Sequence, residues 1–432
     1  MILSGGCAKV IDVMGAFLHG RFQEGEEIFM EVPEGWKDKY PSDAVLRLLK
    51  TLYGLRQAAI AFWKELLKCM CSMDMNRSKA DPCLYFKWNA IGLVIIASWV
   101  DDNMCLGDEK NVDLVTGELM ERFDCEDCGE FDELLGCKIT RLDNGGLKFT
   151  QEVLLQSFKD EFDLPEQMSM TPAVAGNILT KGDTGLAVSP KEQTKYRSGI
   201  GKMIHMMAWS RPDICNAVRD AARHMQSANS FHVKAMHKIM SYCTRTPHRG
   251  ITLNPVGKWD GKKGYKFKIG GRSDSDYATD PESRRSVSGT RVSVNEAPVM
   301  WRATTQKGVT LSVTEAESAA AVTCAQDMMY AKHIIESLEL DVELPMVLEI
   351  DNQGAVDLIN SWIVGGRTRH TAVRLNYLRE LKEQGVMVFR WISGDENDAD
   401  MHTKNVPGPL LEKHCRVYFG EDEYYYGKGE HS

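Results

Sequence analysis

The chain has 432 residues, 43% of them apolar, enough for two or three domains with their own cores. Lysine and arginine number 52 against 61 aspartates and glutamates, a formal net charge of −9, which excludes a chain that grips polyanions along its whole surface. No apolar run is long enough to cross a bilayer, the opening residues lack the pattern of a secretory leader, and the twelve cysteines lie scattered, as suits a reducing compartment.

Residues 9–18, KVIDVMGAFL, read as a short strand running into a turn, with Asp12 near its end. Between 52 and 73 the apolar residues fall at 52, 55, 62, 66 and 69, a helical spacing. At 91–107 an apolar strand reaches Asp101 and Asp102 and turns back. Adjacent carboxylates there are either turn chemistry or cation ligands, because a buried charge without a partner is costly. Residues 108–123 read as a helix and 135–150 as a hairpin turning at Asn144-Gly145-Gly146. Cys125 and Cys128 form a C-x-x-C that has no second pair at zinc spacing, so it carries no metal prediction.

From 188 to 250 the pattern is helical and basic, with eleven Lys and Arg against three acids, and five histidines besides. Such a stretch is either a solvated helical face or a surface that tracks phosphates. Ser-Arg-Pro-Asp at 210–213 interrupts it, and Asp213 is placed to cap the next helix, 214–225. A Gly/Lys/Asp stretch at 255–264 reads as a linker. Strands are predicted at 265–274, 286–294, 297–302 and 307–312, then a helix at 315–338 and a strand at 346–351. Helices at 352–360 and 371–384 and a strand at 387–392 complete the order, which implies a mixed sheet flanked by helices.

The second half repeats the carboxylate pattern of the first. Asp274 ends a strand in RSDSDYATD, Asp351 ends MVLEID, and Asp400 lies in DENDADMHTK, where a helix is expected to start. Glu315 lies in the first turn of the helix in SVTEAES; with Ser312 it also matches a capping box, so cap and ligand are both open. Several carboxylates converging on one point need cations, and two magnesium ions about 4 Å apart are the usual solution.

The ordered string DVMGAFLHG, EEIFMEVPEGW, LLKTLYGLRQA, ADPCLYF, WVDD, LLGCKI is similar to the reverse transcriptase of copia-type LTR retrotransposons. SRPDI resembles that family's connecting region, and SDSDYATDPESRRSVSGT, LSVTEAE, IDNQGA, RTRH and DADMHTK resemble its RNase H domain. The resemblance runs from about residue 9 to 418. It implies an α+β multidomain chain: a right-hand polymerase palm and helical thumb or connection, then an RNase H-like mixed-sheet α/β domain. The expected divisions are 1–160 for the palm, 161–255 for the thumb or connection, 265–418 for the RNase H-like domain and 419–432 for a polar tail.

The function implied is RNA-directed DNA synthesis with ribonuclease H activity, both by two-metal phosphoryl transfer with Mg²⁺ or Mn²⁺. By resemblance, Asp12, Asp101 and Asp102 hold the polymerase ions. Phe17 excludes ribonucleotides by bulk, while Tyr53, Gly54, Arg56, Gln57 and Trp99 line the nucleotide and template. Asp274, Glu315, Asp351 and Asp400 hold the RNase H ions, with Asp276 and Glu317 as near competitors, and Arg367, His370 and Lys404 contact phosphate. The implied partners are an RNA template, a DNA primer, an RNA–DNA hybrid, dNTPs and other segments of a retrotransposon polyprotein, with no membrane. The implied location is the cytoplasm, within a virus-like particle, with the nucleus as a second place and no secretion.

The chain also departs from the family. Eleven residues precede Asp12, where the family has a fingers subdomain, so the expectation is an N-terminally truncated polymerase half with impaired synthesis. Trp99 stands for the usual Tyr, Ala59 for the usual Pro, and Ala372 where an acid is common. The alternatives are an RNase H-only nuclease, or a decayed element that only binds nucleic acid through residues 188–250.

Overall fold

A computed structural model describes residues 1–164, 169–181, 185–361 and 372–420. They fall into two compact units, Leu3–Phe131 with Trp259–Lys262, and Asp132–Lys258 with the residues from Lys263 onward. Residues 132–160, grouped with the palm on sequence, belong by contact to the second unit. Among the described residues, no helix is long and apolar enough to cross a membrane.

The first unit is built on a six-stranded antiparallel sheet. Strand β1 (Cys7–Val13) leads through a small hairpin, β2 (Phe29–Glu31) and β3 (Val45–Arg47), into α1 (Ala58–Ser72). Then come β4 (Asn76–Arg77), β5 (Leu84–Trp88), β6 (Leu93–Trp99), β7 (Asp102–Gly107), α2 (Glu109–Met120) and β8 (Cys125–Glu130). The spatial order β4-β5-β6-β7-β1-β8 puts β1 between β7 and β8. Ile11 and Val13 of β1 share a core with Phe62, Leu66 and Met70 of α1 and with Val112, Val115 and Leu119 of α2. Side chains alternate along a strand, so Asp12 lies on the face away from these helices.

The second unit opens with β9 (Glu133–Leu134), β10 (Cys137–Arg141) and β11 (Leu147–Thr150), the last two joined by the expected hairpin with Gly145 at φ 84°. Helices α3 (Glu152–Glu161), α4 (Pro190–Trp209), α5 (Cys215–Ala222) and α6 (Ser230–Arg245) follow, and β12 (Ile251–Leu253) returns to pair with β11. Helix α4 starts on a capping box in which Ser189 and Glu192 satisfy each other's backbone N–H, with Pro190 in the first turn. Ser189→Ala is expected to cost about 1 kcal/mol, seen as a lower urea midpoint with an unchanged slope.

Asp213 does not cap the helix after it, as its position had suggested. Its carboxylate accepts two bonds from the Arg211 guanidinium, at 2.9 and 2.8 Å, and one from the Tyr242 hydroxyl at 2.6 Å, all in the interior. A buried guanidinium needs a counter-charge, and that demand outweighs a helix cap.

The rest of the unit is a five-stranded mixed sheet. It consists of β14 (Ile269–Asp276), β15 (Val287–Val294), β16 (Ala297–Thr305), β18 (Met346–Ile350) and β19 (Met387–Trp391), while β13 (Lys266–Phe267) and β17 (Asp341–Val342) make a separate parallel ribbon. The order is β16-β15-β14-β18-β19, antiparallel from β16 to β14 and parallel from β14 to β19. Residues 307–312, expected as a strand, form an irregular link from the edge strand β16 to the N-cap of α7 (Val313–Ser337). Helices α7, α8 (Gln353–Asn360) and α9 (Ala372–Glu383) supply the core on the sheet, with Ala321, Cys324 and Met328 of α7 against Leu348 and Ile350. A side chain at Gly271 would meet Met328 Sδ at 2.4 Å, so glycine there lets α7 lie close on β14. Helix α10 (Gly408–Phe419) ends the described chain and joins the core of α3–α6 through Leu411, Tyr418 and Phe419.

Candidate active sites

In the first unit the β6–β7 hairpin turns on Val100 and Asp101, with Val100 at φ 60°, and Trp99 faces Asp102 across it. Asp12 lies directly opposite Asp102 in the antiparallel register, and the amide of Val13 donates to the Asp101 carbonyl at 3.0 Å. All three aspartates therefore gather at one end of the sheet. Burial first, then the charge of Asp101, pushes the carboxyls of Asp12 and Asp102 above their usual range. On its other side Asp12 meets Glu126 of β8, a further acid that the sequence reading did not single out. Phe17 and Tyr53 form a tilted ring pair with centroids 4.8 Å apart, and Gln57 donates to Glu26 at 2.8 Å. Gly54, Arg56 and Trp99 are exposed.

In the second unit Asp274, Asp351 and Asp400 each offer a carboxylate oxygen within 4.8 Å of the other two, the one such group among the described residues. Asp274 comes from β14 and Asp351 follows directly on β18, which lies parallel beside it. Asp400 comes from a short 3-10 turn, Asp398–His402, where a longer helix had been expected to begin. Gly289 of β15 sits opposite Asp274, and a Cβ there would meet the Ala399 carbonyl at 2.6 Å and Thr403 at 2.8 Å. The bare backbone at that point lets the turn descend onto the sheet.

Other contacts fix the turn in place. Buried Asp398 accepts from Arg291 at 2.9 Å and from Arg272 at 3.3 Å. His402 pairs with the Tyr418 hydroxyl at 2.8 Å, and burial pushes its imidazole down to about 4, so it sits there neutral. The Thr403 hydroxyl donates to the Asp274 carboxylate, and Asn397 bonds both the Ser273 carbonyl, at 3.0 Å, and the Asp351 carboxylate. The indole N–H of Trp391 donates to the Asp351 carbonyl at 3.0 Å. Thr403 and Asn397 were not foreseen, since nothing in sequence spacing ties them to carboxylates far along the chain.

Of the two neighbouring glutamates, Glu317 and not Glu315 is the one buried within the field of Asp274 and Asp351. Glu317 is buried, accepts from the Ser275 amide, and has its Oε2 without a hydrogen-bond partner. Burial, then Asp274 and Asp351, push its carboxyl up to about 10. Glu315 instead turns back to accept from the Leu311 amide at 2.7 Å, and its own amide donates to Ser312 at 3.2 Å. The reason is helical phase. Glu317 stands four and seven residues before Ala321 and Cys324, on the stripe buried against the sheet, and Glu315 lies off it. Asp276 lies outside the close group, though its charge acts on Lys404 beside it.

Burial, then the charge of Asp274, also drives the Asp351 and Asp400 carboxyls up. Three acids held together, with the orphaned buried oxygen of Glu317 in the field of two of them, form a hard-oxygen donor set, the type that suits Mg²⁺ or Mn²⁺. Lys404, expected on phosphate, places its ammonium on the Asp400 carboxylate. Arg367 and His370 lie outside the described residues.

The basic stretch 188–250 is not an open positive field. Arg211 and Arg249 are buried, the first on Asp213 and the second on Tyr242 and Glu412. Arg219 reaches Asn216 and Thr305, and Arg223 bridges Asp220 at 3.0 Å and Asp280 at 2.7 Å. Lys195 and Lys202 pair with Asp163 and Glu161. Much of this charge is spent inside the unit on partners that lie outside the stretch.

Two sheets thus each bring acids to their strand ends. Residues 5–175 match the family described as reverse transcriptase (RNA-dependent DNA polymerase). The Pol polyprotein from transposon TNT 1-94 of Nicotiana tabacum is 32% identical over 417 residues, which is 95% of this chain and 30% of that protein. The polyprotein from transposon RE1 of Arabidopsis thaliana is 27% identical over 397 residues, 92% of this chain and 26% of its own length. Over more than nine-tenths of its length the chain is similar to copia-type retrotransposon Pol polyproteins, with the reverse transcriptase match at residues 5–175, and it spans under a third of these relatives. A solved RNase H1 isolated from compost aligns with 34% of this chain and 96% of its own at 13% identity, with a TM-score of 0.25, too low to carry an argument.

Proposed function

We propose that the chain is an RNA-directed DNA polymerase with ribonuclease H activity, acting on an RNA template, a DNA primer, dNTPs and the resulting hybrid. In this reading the first unit contains the palm, 161–255 the thumb or connection, and 265–418 the RNase H-like domain. The observation that carries it is the close group of Asp274, Asp351 and Asp400 with the unpartnered oxygen of Glu317 beside it. Two divalent ions at such a site supply Lewis acidity to the attacking and leaving oxygens of a phosphoryl transfer.

The protein's own part is to hold and aim. Asp274, Glu317, Asp351 and Asp400 are the ligands of the second unit, with Thr403 and Asn397 fixing the oxygens of Asp274 and Asp351. Asp12, Asp101 and Asp102 are the ligands of the first. Phe17, braced by Tyr53, bars a ribose 2′-hydroxyl, and Tyr53, Gly54, Arg56, Gln57 and Trp99 line the nucleotide and template.

A labelled RNA–DNA hybrid with Mg²⁺ tests the second unit. The expected result is cleavage of the RNA strand that Asp351→Asn loses. Primer extension on an RNA template, with Asp101→Asn as the control, tests the first. A hydrolase-only reading is favoured by one observation: the close ligand group among the described residues is in the second unit alone. Cleavage without extension would decide for it. Absence of both, at a concentration where the hybrid is bound, would overturn both readings.

A further inference from the structure

Lys404 lies four residues after Asp400, just beyond the Asp398–His402 turn, and its ammonium reaches back to the Asp400 carboxylate. The same ammonium lies in the field of Asp274 and of Asp276. It is the basic group that acts as a neutralising charge on Glu317, Asp351 and Asp400 alike. Close by, Arg272 and Arg291 are committed to Asp398 and Glu349. With its side chain 48% exposed, Lys404 has room to swing outward.

We propose that Lys404 is the resting counter-ion of the second carboxylate site, holding the acids together and competing with divalent ions for Asp400. The inference rests on the metal-binding reading above. An ammonium and a metal ion cannot both sit against the same carboxylate oxygen, and like charges that close repel. Ion entry therefore turns Lys404 away from Asp400 toward solvent, where a substrate phosphate is a natural partner. A lysine whose ammonium stays out on the phosphate side repels an entering ion only weakly through solvent, so a clear gain in ion affinity on its removal separates the two roles.

The test is calorimetric titration of Mg²⁺ alone, and of Mn²⁺ alone, into the full chain without nucleic acid. Lys404→Met and Lys404→Gln are expected to bind tighter than wild type by roughly two- to fivefold, the scale of one partly exposed ion pair. Lys404→Arg, which keeps the charge, is expected to bind like wild type. The Met and Gln variants are also expected to melt lower than wild type in EDTA and to recover in saturating Mg²⁺, a gain that a damaged fold would not show. Equal or weaker ion affinity in both neutral variants overturns the inference while leaving the metal site intact. Wild-type binding that Asp351→Asn does not diminish overturns the metal reading itself, and the inference with it.

Discussion

Glu317→Gln is expected to lower metal-dependent cleavage of the hybrid by at least about 100-fold, since even second-sphere partners of metal ligands are worth 10- to 100-fold. Glu315→Gln is expected to cleave like wild type. Both changes replace an acid with its isosteric amide near the start of α7, Glu315 in its first turn and Glu317 just beyond it, so size is matched between them. What differs is environment. Glu317 is buried among Asp274 and Asp351, whereas Glu315 reaches back to the Leu311 amide. The amide at 315 still accepts that bond and loses only part of its capping strength, a fraction of a kcal/mol. Mg²⁺ titration gives a second readout that needs no turnover: heat should be lost in the first variant and kept in the second. Loss of function in Glu315→Gln with retention in Glu317→Gln would return the ligand to the residue first favoured on sequence.

That pair shows where sequence reading stops. The hairpin carrying Asp101 and Asp102, the strand-end positions of Asp274 and Asp351, and the mixed sheet were legible from alternation and turn residues. These are local signals, fixed within one or two elements. The choice between Glu315 and Glu317 was not legible from the motif, which places two glutamates two residues apart and favoured Glu315 by position, while the S-x-x-E pattern gave that residue a capping role as well. The information was present one level up, in the stripe 317, 321, 324, 328 that faces the sheet. Asp213 failed in the same way. A cap position is a local rule, and a buried guanidinium on the opposite side of the same residue overrode it. The basic stretch 188–250 left a solvated face and a phosphate surface both open on sequence, because several of its partners, Glu161, Asp163, Asp280 and Glu412, lie outside the window counted. Gly289 could not be read at all. Its role depends on a turn more than a hundred residues later coming within 2.6 Å of where its side chain would be.

In EDTA the second unit is expected to lose stability as pH rises from 7 to 8.5, and Mg²⁺ is expected to abolish that loss. The sign follows from the carboxyl of Glu317, which the fold moves from an ordinary 4.5 up to about 10, with Asp351 and Asp400 moved in the same direction. Across the interval between the two values the folded chain holds a proton that the unfolded chain has released. Stability from this source is complete below about pH 4.5 and drains away as pH climbs toward 10. Each such proton contributes a slope of about 1.4 kcal/mol per pH unit.

Two other sets of groups bound the useful window. Buried His224, His237, His402 and His414 are pushed below their ordinary 6.5, so the stability they govern rises with pH and is fully present above 7. Buried thiols such as Cys215 and Cys324 are pushed up from 9.0, so their contribution begins to fall only above that value. Between pH 7 and 8.5 the carboxylates act nearly alone. Ions that bind the deprotonated group stabilise the fold by mass action and remove the proton difference at its source. Urea midpoints at four pH values, with EDTA and with Mg²⁺, give the slopes directly. Glu317→Gln should flatten the EDTA profile and blunt the Mg²⁺ response together. A wild-type profile already flat in EDTA would mean that Glu317 ionises freely, and that the four acids are not held as close in solution as the fold places them.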